Sequence, residues 1–146
     1  MNTALAVASR QRSALLPQVQ AMPLKIAGNY PSPYGDEPPD ASRGNFADQR
    51  FDPMPVDAHP AGQSPFGVHG LLGNAWEWTD TLFGPFDGFA ARPFYPGYSA
   101  NFFDGEHFVL KGGSPRTATR LLRRSFRNWF RPTYQHVYAG FRCVAD

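Results

Sequence analysis

The sequence predicts one loop-rich α+β domain with short strands, and three observations support this. The 146 residues include 14 glycines and 15 prolines, which interrupt regular helices and long strands. They also include 13 Phe, 6 Tyr and 3 Trp, so aromatic packing can hold the loops together, whereas disordered chains contain few aromatic residues. Short stretches of alternating apolar and polar residues supply the strands.

The N-terminal part of the chain is predicted to differ from the rest. Residues 1–29 form a helix or tail of uncertain role, because Leu5, Leu15 and Val19 have loosely helical spacing and Pro23 ends the pattern. Residues 30–146 form the main domain. It opens with a continuous loop over residues 30–65, which is full of turn dipeptides.

Three later segments have the alternation of strands. They are GNAWEWT (73–79), HFVLKGG (107–113) and the terminal HVYAGFRCVAD (136–146). The aromatic segment 84–105 between the first two is predicted to be loop. Residues 114–131 are predicted to hold a short helical turn or two, which Pro132 ends.

Charge is unevenly distributed, although the formal net charge is only +2. Eight of the Lys and Arg residues lie between Lys111 and Asp146, and most acids precede them. A basic segment can bind nucleic acid, but pairing with the acidic half of the same domain is the reading we favour, so no nucleic-acid partner is expected. Glu77 could pair with an arginine, and a structural role is expected for Arg142.

The single cysteine, Cys143, excludes an intrachain disulfide and fits a reducing compartment. No apolar stretch approaches the roughly 20 residues that span a bilayer. Arg10 and Arg12 interrupt the small apolar run at the N-terminus, so no signal peptide is expected. We therefore expect a cytoplasmic protein without a membrane partner.

Three segments in this order resemble one known family. FGVHGLLGNAWEWT (66–79), HFVLKGGSPRT (107–117) and SFRNWFRPTYQHVYAGFRCVAD (125–146) are similar to the second half of the formylglycine-generating-enzyme, or sulfatase-modifying-factor, family. YGDEPPDASRGNF (34–46) and PVDAHPAGQSPFG (55–67) resemble the segments before them. The resemblance implies a C-type-lectin-like fold, of which residues 30–146 would be the C-terminal portion.

The formylglycine-generating activity itself is not expected. The family's copper chemistry uses a cysteine pair shortly after the GGS segment, because a soft metal needs thiolate ligands. Thr117 and Leu122 occupy those places here. The run SFRNWFRP is closer to the ergothioneine-type sulfoxide synthases, iron-dependent oxidoreductases that join hercynine (trimethylhistidine) oxidatively to a thiol.

That resemblance implies substrate-binding roles for four consecutive residues. Asn128 and Trp129 would contact hercynine with Phe130 beside them. Arg127 and Arg124 could bind a substrate carboxylate, although an internal salt bridge is the expectation we favour for these arginines. A quaternary ammonium has no hydrogen to donate, so aromatic faces recognise it. Trp129 could form such a cage with Phe130 or Tyr98, although ordinary aromatic packing suits the same residues. Phe130 replaces an Asp of members that use γ-glutamylcysteine, which favours cysteine or another small thiol or selenium donor.

Catalytic and metal roles are also implied. Tyr95 and Tyr98 lie in the loop that supplies a proton donor in some of these synthases, although packing suits both residues. One family calcium site corresponds to the carbonyls of Gly73 and Ala75 with Glu77, with one further oxygen ligand missing. A second corresponds to Asn45, the Phe46 carbonyl and Asp48.

Iron ligands are not expected in this chain. Fe(II) needs a facial set of His or carboxylate ligands, and the four histidines are scattered, with no His-x3-His pair. The family's iron site belongs to an N-terminal helical bundle, so we expect a fragment, or one half of a split enzyme whose partner carries the iron. The alternative function is a non-enzymatic lectin-like binding or interaction module on the same scaffold.

Overall fold

The computed structural model describes residues 37–95, 97 and 100–142. The predicted N-terminal helix, Tyr98 and Cys143 lie outside these residues. The described part contains one four-stranded sheet and three short 3-10 helices, joined by long loops. The 3-10 helices span Pro60–Gly62, Ala100–Phe102 and Thr119–Leu121. None of the described helices has the length and apolarity needed to cross a membrane.

The sheet is mixed, with strand order β3-β2-β1-β4. Strand β1 is Trp76–Leu82, β2 is Phe108–Lys111, β3 is Asn128–Phe130 and β4 is Ala139–Gly140. Strand β2 pairs antiparallel with both β1 and β3, whereas β4 runs parallel to β1. The prediction of a loop-rich domain with short strands is confirmed.

Two of the predicted strands, at 73–79 and 107–113, are present as β1 and β2. The predicted terminal strand is much shorter than expected, since only Ala139–Gly140 pairs within its described part. The helical prediction for residues 114–131 is correct for Thr119–Leu121 and wrong for Asn128–Phe130. Those three residues are extended because their backbone groups pair with β2, and tertiary pairing overrides a weak local preference.

The core joins the sheet to the loops that precede it. Val109 and Leu110 at the centre of β2 are 1% and 0% exposed, and Phe46, Leu72 and Leu122 form a buried cluster. Burying each of these side chains contributes about 1.5–3 kcal/mol to stability. The core therefore anchors β2, and β2 in turn fixes β3.

Asn74 connects two loops to the start of β1. Its side chain donates to the Met54 carbonyl (2.9 Å) and accepts from the Met54 N–H (2.7 Å), while its own N–H donates to the Asn45 carbonyl. Asn74 has a φ of 64°, a left-handed conformation that asparagine tolerates better than most residues. The hydrogen bonds of Asn74 therefore hold Asn45 and Met54, in a loop without helix or strand, against the start of β1.

Candidate ligand site

Trp129 lies on one face of the sheet among other aromatic rings. It is the register partner of Val109, its indole stacks on Phe83 at 4.4 Å between centroids, and Phe102 lies at 5.5 Å. Phe103 and Phe89 extend the cluster through ring contacts of 5.0 and 5.4 Å. We call this surface the aromatic face; its members are Phe83, Phe89, Phe102, Phe103 and Trp129.

Arg127 covers one edge of the aromatic face. Its guanidinium carbon lies 3.7 Å from the Phe86 ring centroid and 5.0 Å from that of Phe83, and Nη1 donates to the Gly84 carbonyl at 3.0 Å. Burial lowers the pKa of Arg127 from its ordinary value, but a guanidinium keeps its charge. Among the described residues its other N–H groups have no hydrogen-bond partner, so they could bind a carboxylate.

The structure does not bring all four predicted substrate-binding residues together. Successive side chains of a strand point to opposite faces, so Asn128 and Phe130 lie opposite Trp129. Phe130 stacks on Tyr134 at 4.7 Å, and the Asn128 side chain accepts from the Trp129 N–H at 3.0 Å. The expected pairing of Trp129 with Phe130 is therefore wrong; Phe83 and Phe102 take that place.

The predicted proton donors are only partly described. Tyr95 is 60% exposed in the loop before the 3-10 helix Ala100–Phe102, and its N–H donates to the Arg92 carbonyl. Phe94 beside it is 81% exposed. The catalytic roles of Tyr95 and Tyr98 stay predictions.

No functional role was predicted for His107, which begins the predicted strand 107–113, but the structure gives it a charged partner. Its Nδ1 lies 2.9 Å from Asp104 Oδ1, and Arg131 contacts Glu106 at 2.7 Å and Asp104 at 3.5 Å. The hydrogen bond from His107 is the largest cause that holds the pKa of Asp104 well below its usual range. The Asp-x-x-His spacing before β2 was the available signal, because residues three apart meet across a tight turn.

Lys111 holds the segment that leads into β3. Its Nζ donates to the carbonyls of Arg124 (2.5 Å) and Phe126 (2.7 Å). Burial, with a smaller contribution from the charge of Arg127, lowers the pKa of Lys111 to about 8. The ammonium thus fixes residues 124–126 and, through them, the position of Arg127.

Glu77 does not fit the first predicted calcium site. Its two carboxylate oxygens each accept from Arg142 Nε at 2.9 Å, and Arg142 Nη2 also contacts Oε1. The same guanidinium donates to the carbonyls of His69 and Gly70 at 3.1 and 3.3 Å. A cation already neutralises this carboxylate, so Gly73, Ala75 and Glu77 are not available as a calcium set.

The second predicted calcium set has one suitable feature. Asn45 is 1% exposed, and its buried Oδ1 has no hydrogen-bond partner within the part of the chain that the structure describes, while its Nδ2 donates to the Asp52 carbonyl at 3.1 Å. Buried amide oxygens are normally paired, so this oxygen suits a hard cation. Asp48 is exposed, and its N–H donates to the Pro115 carbonyl at 2.8 Å.

The described residues do not fit an iron ion. No three His, Cys, Asp or Glu side chains within residues 37–95, 97 and 100–142 are grouped so as to hold a metal. His107 is bound to Asp104, while the His136 ring packs on Tyr134 at 5.6 Å. A facial iron set needs convergent ligands, which these histidines do not supply.

Comparison with known proteins identifies the scaffold. Residues 26–146 match the model of the sulfatase-modifying factor enzyme 1-like domain. The chain is 41% identical over 114 residues to a hercynine oxygenase of Mycobacterium tuberculosis. This alignment covers 78% of this chain and 27% of that protein. It is 37% identical over 108 residues to ergothioneine biosynthesis protein 1 of Neurospora crassa, covering 73% of this chain and 12% of that protein.

The chain thus spans about a quarter or less of the length of these relatives. Among solved structures, PvdO from Pseudomonas aeruginosa matches with a TM-score of 0.57 and 19% identity, over 94% of this chain and 55% of that one. At this identity the likeness concerns the fold alone. With the family match over residues 26–146, these findings show that the chain belongs to the family of sulfatase-modifying factor enzyme 1-like domains.

Proposed function

We propose that this chain is the substrate-binding part of an ergothioneine-type sulfoxide synthase, and that it binds hercynine at the aromatic face. The observation that carries the proposal is the contact of Trp129 with the rings of both Phe83 and Phe102, with Arg127 over Phe83 at the edge of the same cluster. The names of the relatives, hercynine oxygenase and ergothioneine biosynthesis protein 1, support this choice of ligand.

The chemistry of the aromatic face suits a betaine. The trimethylammonium group would lie against the indole, an interaction of about 0.5–2 kcal/mol per ring. The carboxylate of the ligand would take the N–H groups of Arg127 that the described residues leave without a hydrogen-bond partner, in a charge-assisted contact. The positive charge of the ligand would thus lie against aromatic faces, and its negative charge would be bound by a guanidinium.

Oxidative C–S bond formation would need an iron site in addition to the aromatic face. The described residues do not supply one, so Fe(II) would be held outside them, by a helical-bundle domain or chain. The thiol or selenium donor, a cytoplasmic location and the C-type-lectin-like architecture stay predictions. Formylglycine generation is not proposed, because Cys143 is the single cysteine of the sequence.

Calcium at Asn45 is a separate, smaller proposal. The buried, unpartnered Oδ1 would be one ligand, together with the Phe46 carbonyl and Asp48. Calcium should then raise the Tm of the wild-type chain and of Glu77→Gln, and a chelator should reverse the effect. No shift in the wild type, or a shift that Glu77→Gln abolishes, would count against this site.

Isothermal titration with hercynine tests the main proposal. Trp129→Ala should weaken binding about tenfold, since the loss of one cation–π partner corresponds to about 1.4 kcal/mol. Tyr134→Ala is the matched control, because this aromatic ring packs on Phe130 at the opposite face. Equal losses in both variants, or no heat with the wild type, would refute the assignment.

A further inference from the structure

His107 has one ring nitrogen fixed and the other open. Nδ1 lies 2.9 and 3.0 Å from the two oxygens of Asp104, and the Asp104 Oδ1 also accepts from the backbone N–H groups of Glu106 (2.9 Å) and His107 (3.2 Å). Arg131 contacts both acids of this turn. The Asp104 carboxylate therefore orients the imidazole, and two backbone N–H groups and Arg131 hold that carboxylate in place.

The partner of Nδ1 determines the state of Nε2. An ionised carboxylate only accepts hydrogen bonds, so Nδ1 carries the proton and Nε2 of the neutral ring carries a lone pair. Among the described residues Nε2 has no hydrogen-bond partner, and it is not one of the buried unsatisfied atoms. It therefore reaches a space that solvent or a ligand can enter.

That space adjoins the aromatic face. His107 lies one residue before β2 and two before Val109, so continued alternation would direct its side chain to the face that carries Trp129, the register partner of Val109. Phe102 contacts both rings: its centroid lies 5.2 Å from the imidazole of His107 and 5.5 Å from the indole of Trp129. A ligand on the aromatic face can thus meet Nε2.

We propose that His107 determines specificity at the aromatic face: its Nε2 accepts a hydrogen bond from a ring N–H of the ligand. The inference rests on the proposed function and deepens it. The site would take a trimethylated amino acid whose side chain is an N–H heteroaromatic ring, and Asp104 would act as the positioning residue, because it accepts from Nδ1 and so selects the tautomer of the neutral ring that has its lone pair on Nε2. An aryl ring without an N–H would leave the hydrogen-bonding capacity of Nε2 unused.

Two betaines that differ in the ring separate this inference from the proposed function. Trimethylated histidine carries a ring N–H, and trimethylated phenylalanine does not, whereas the ammonium and carboxylate are the same. The wild type should bind trimethylated histidine about tenfold more tightly, the value expected for one hydrogen bond. His107→Phe, which keeps an aromatic ring against Phe102, should reduce the ratio of the two Kd values to about one.

Trp129→Ala should weaken both betaines and leave their ratio unchanged. If the wild type binds both equally, or if His107→Phe preserves the preference, the inference is wrong and the proposed function stands. If neither betaine binds, both are wrong. Should His107→Phe melt early, 15N NMR of the wild-type imidazole decides: trimethylated histidine should shift the Nε2 resonance, and an unchanged resonance would overturn the inference.

Discussion

The carboxylate of Glu77 is largely removed from water on β1, where its side chain is 13% exposed, and Arg142 supplies its positive partner. Burial raises the pKa of Glu77 above its ordinary 4.5, and the hydrogen bonds and charge of Arg142 oppose that rise. The sequence allowed this pairing as an alternative to calcium. It could not decide between them, because the two residues are 65 positions apart.

Arg142→Met should destabilise the protein by about 3 kcal/mol at pH 8, because it leaves a buried charge without its partner. Between pH 4.5 and the raised pKa of Glu77, the folded state binds more protons than the unfolded chain, so stability falls as pH rises. Without Arg142 nothing opposes the effect of burial, so the pKa of Glu77 rises further in the variant. At pH 5 more of the variant's Glu77 is therefore neutral, and the loss of stability should be smaller there than at pH 8. Urea denaturation measures both values, and the double variant Glu77→Gln/Arg142→Met should recover part of the loss.

Lys111 gives a second pH dependence, of opposite sign. Its pKa is about 8 in the folded state against 10.5 ordinarily, so between these values the unfolded chain binds more protons and stability rises with pH. The neutral amine still has two N–H groups for the carbonyls of Arg124 and Phe126. The difference in unfolding free energy between wild type and Lys111→Met should grow from pH 8 to 10.5; a constant difference would contradict the burial argument.

At the scale of elements, alternation predicted β1 and β2 correctly but failed for β3. Residues 76–82 and 108–111 carry apolar side chains that the core buries, such as Trp76 and Leu110, so the pattern reflects burial. Asn128–Phe130 is three residues long, with every side chain half-buried. Its conformation depends on pairing with β2, which no local pattern records. Because residues 128–130 form a strand, Trp129 and Phe130 lie on opposite faces of the sheet. Without the strand, the sequence could not predict this separation.

Gly73 shows how closely the loops pack on the start of β1. A Cβ at this position would lie 2.4 Å from the backbone oxygen of Asn45, and its φ is 78°. Gly88 has a φ of 77°, but a Cβ added there would have no atom of the described residues within 4 Å, apart from its chain neighbours. Gly88→Ala should cost about 1 kcal/mol for the left-handed backbone alone, whereas Gly73→Ala should cost at least about 3 kcal/mol because backbone must also move. Equal denaturant midpoints of unfolding for Gly73→Ala and Gly88→Ala would refute the close packing at Gly73.

At the scale of the whole molecule, the family could be identified from sequence because its motifs are dense in residues 66–79, 107–117 and 125–146. The site could be identified only in part. Trp129 and Arg127 were predicted as substrate-binding residues, a role that stays a prediction. The structure places both at an aromatic cluster, which Phe83, Phe102 and His107 enter through contacts between distant loops. Such contacts depend on the three-dimensional arrangement of segments that are individually irregular.

The whole chain should not bind Fe(II) stoichiometrically by itself, because the described residues contain no group of three suitable ligands. Anaerobic titration followed by desalting and iron analysis measures this. We expect well under one equivalent at micromolar protein. In a separate aerobic assay with hercynine, a thiol and O2, we expect no C–S bonded product until an iron-bearing helical-bundle polypeptide is added. One tightly held equivalent in the isolated chain would overturn the two-component proposal.

The binding of a betaine by the aromatic face can be observed directly at the three indole N–H groups, which belong to Trp76, Trp78 and Trp129. Titration of the 15N-labelled chain with hercynine should shift the Trp129 indole resonance and leave the Trp76 indole in place, because Trp76 is 7% exposed and packs on Phe126. A spectrum in which the Trp129 resonance does not move at saturating hercynine would contradict the account.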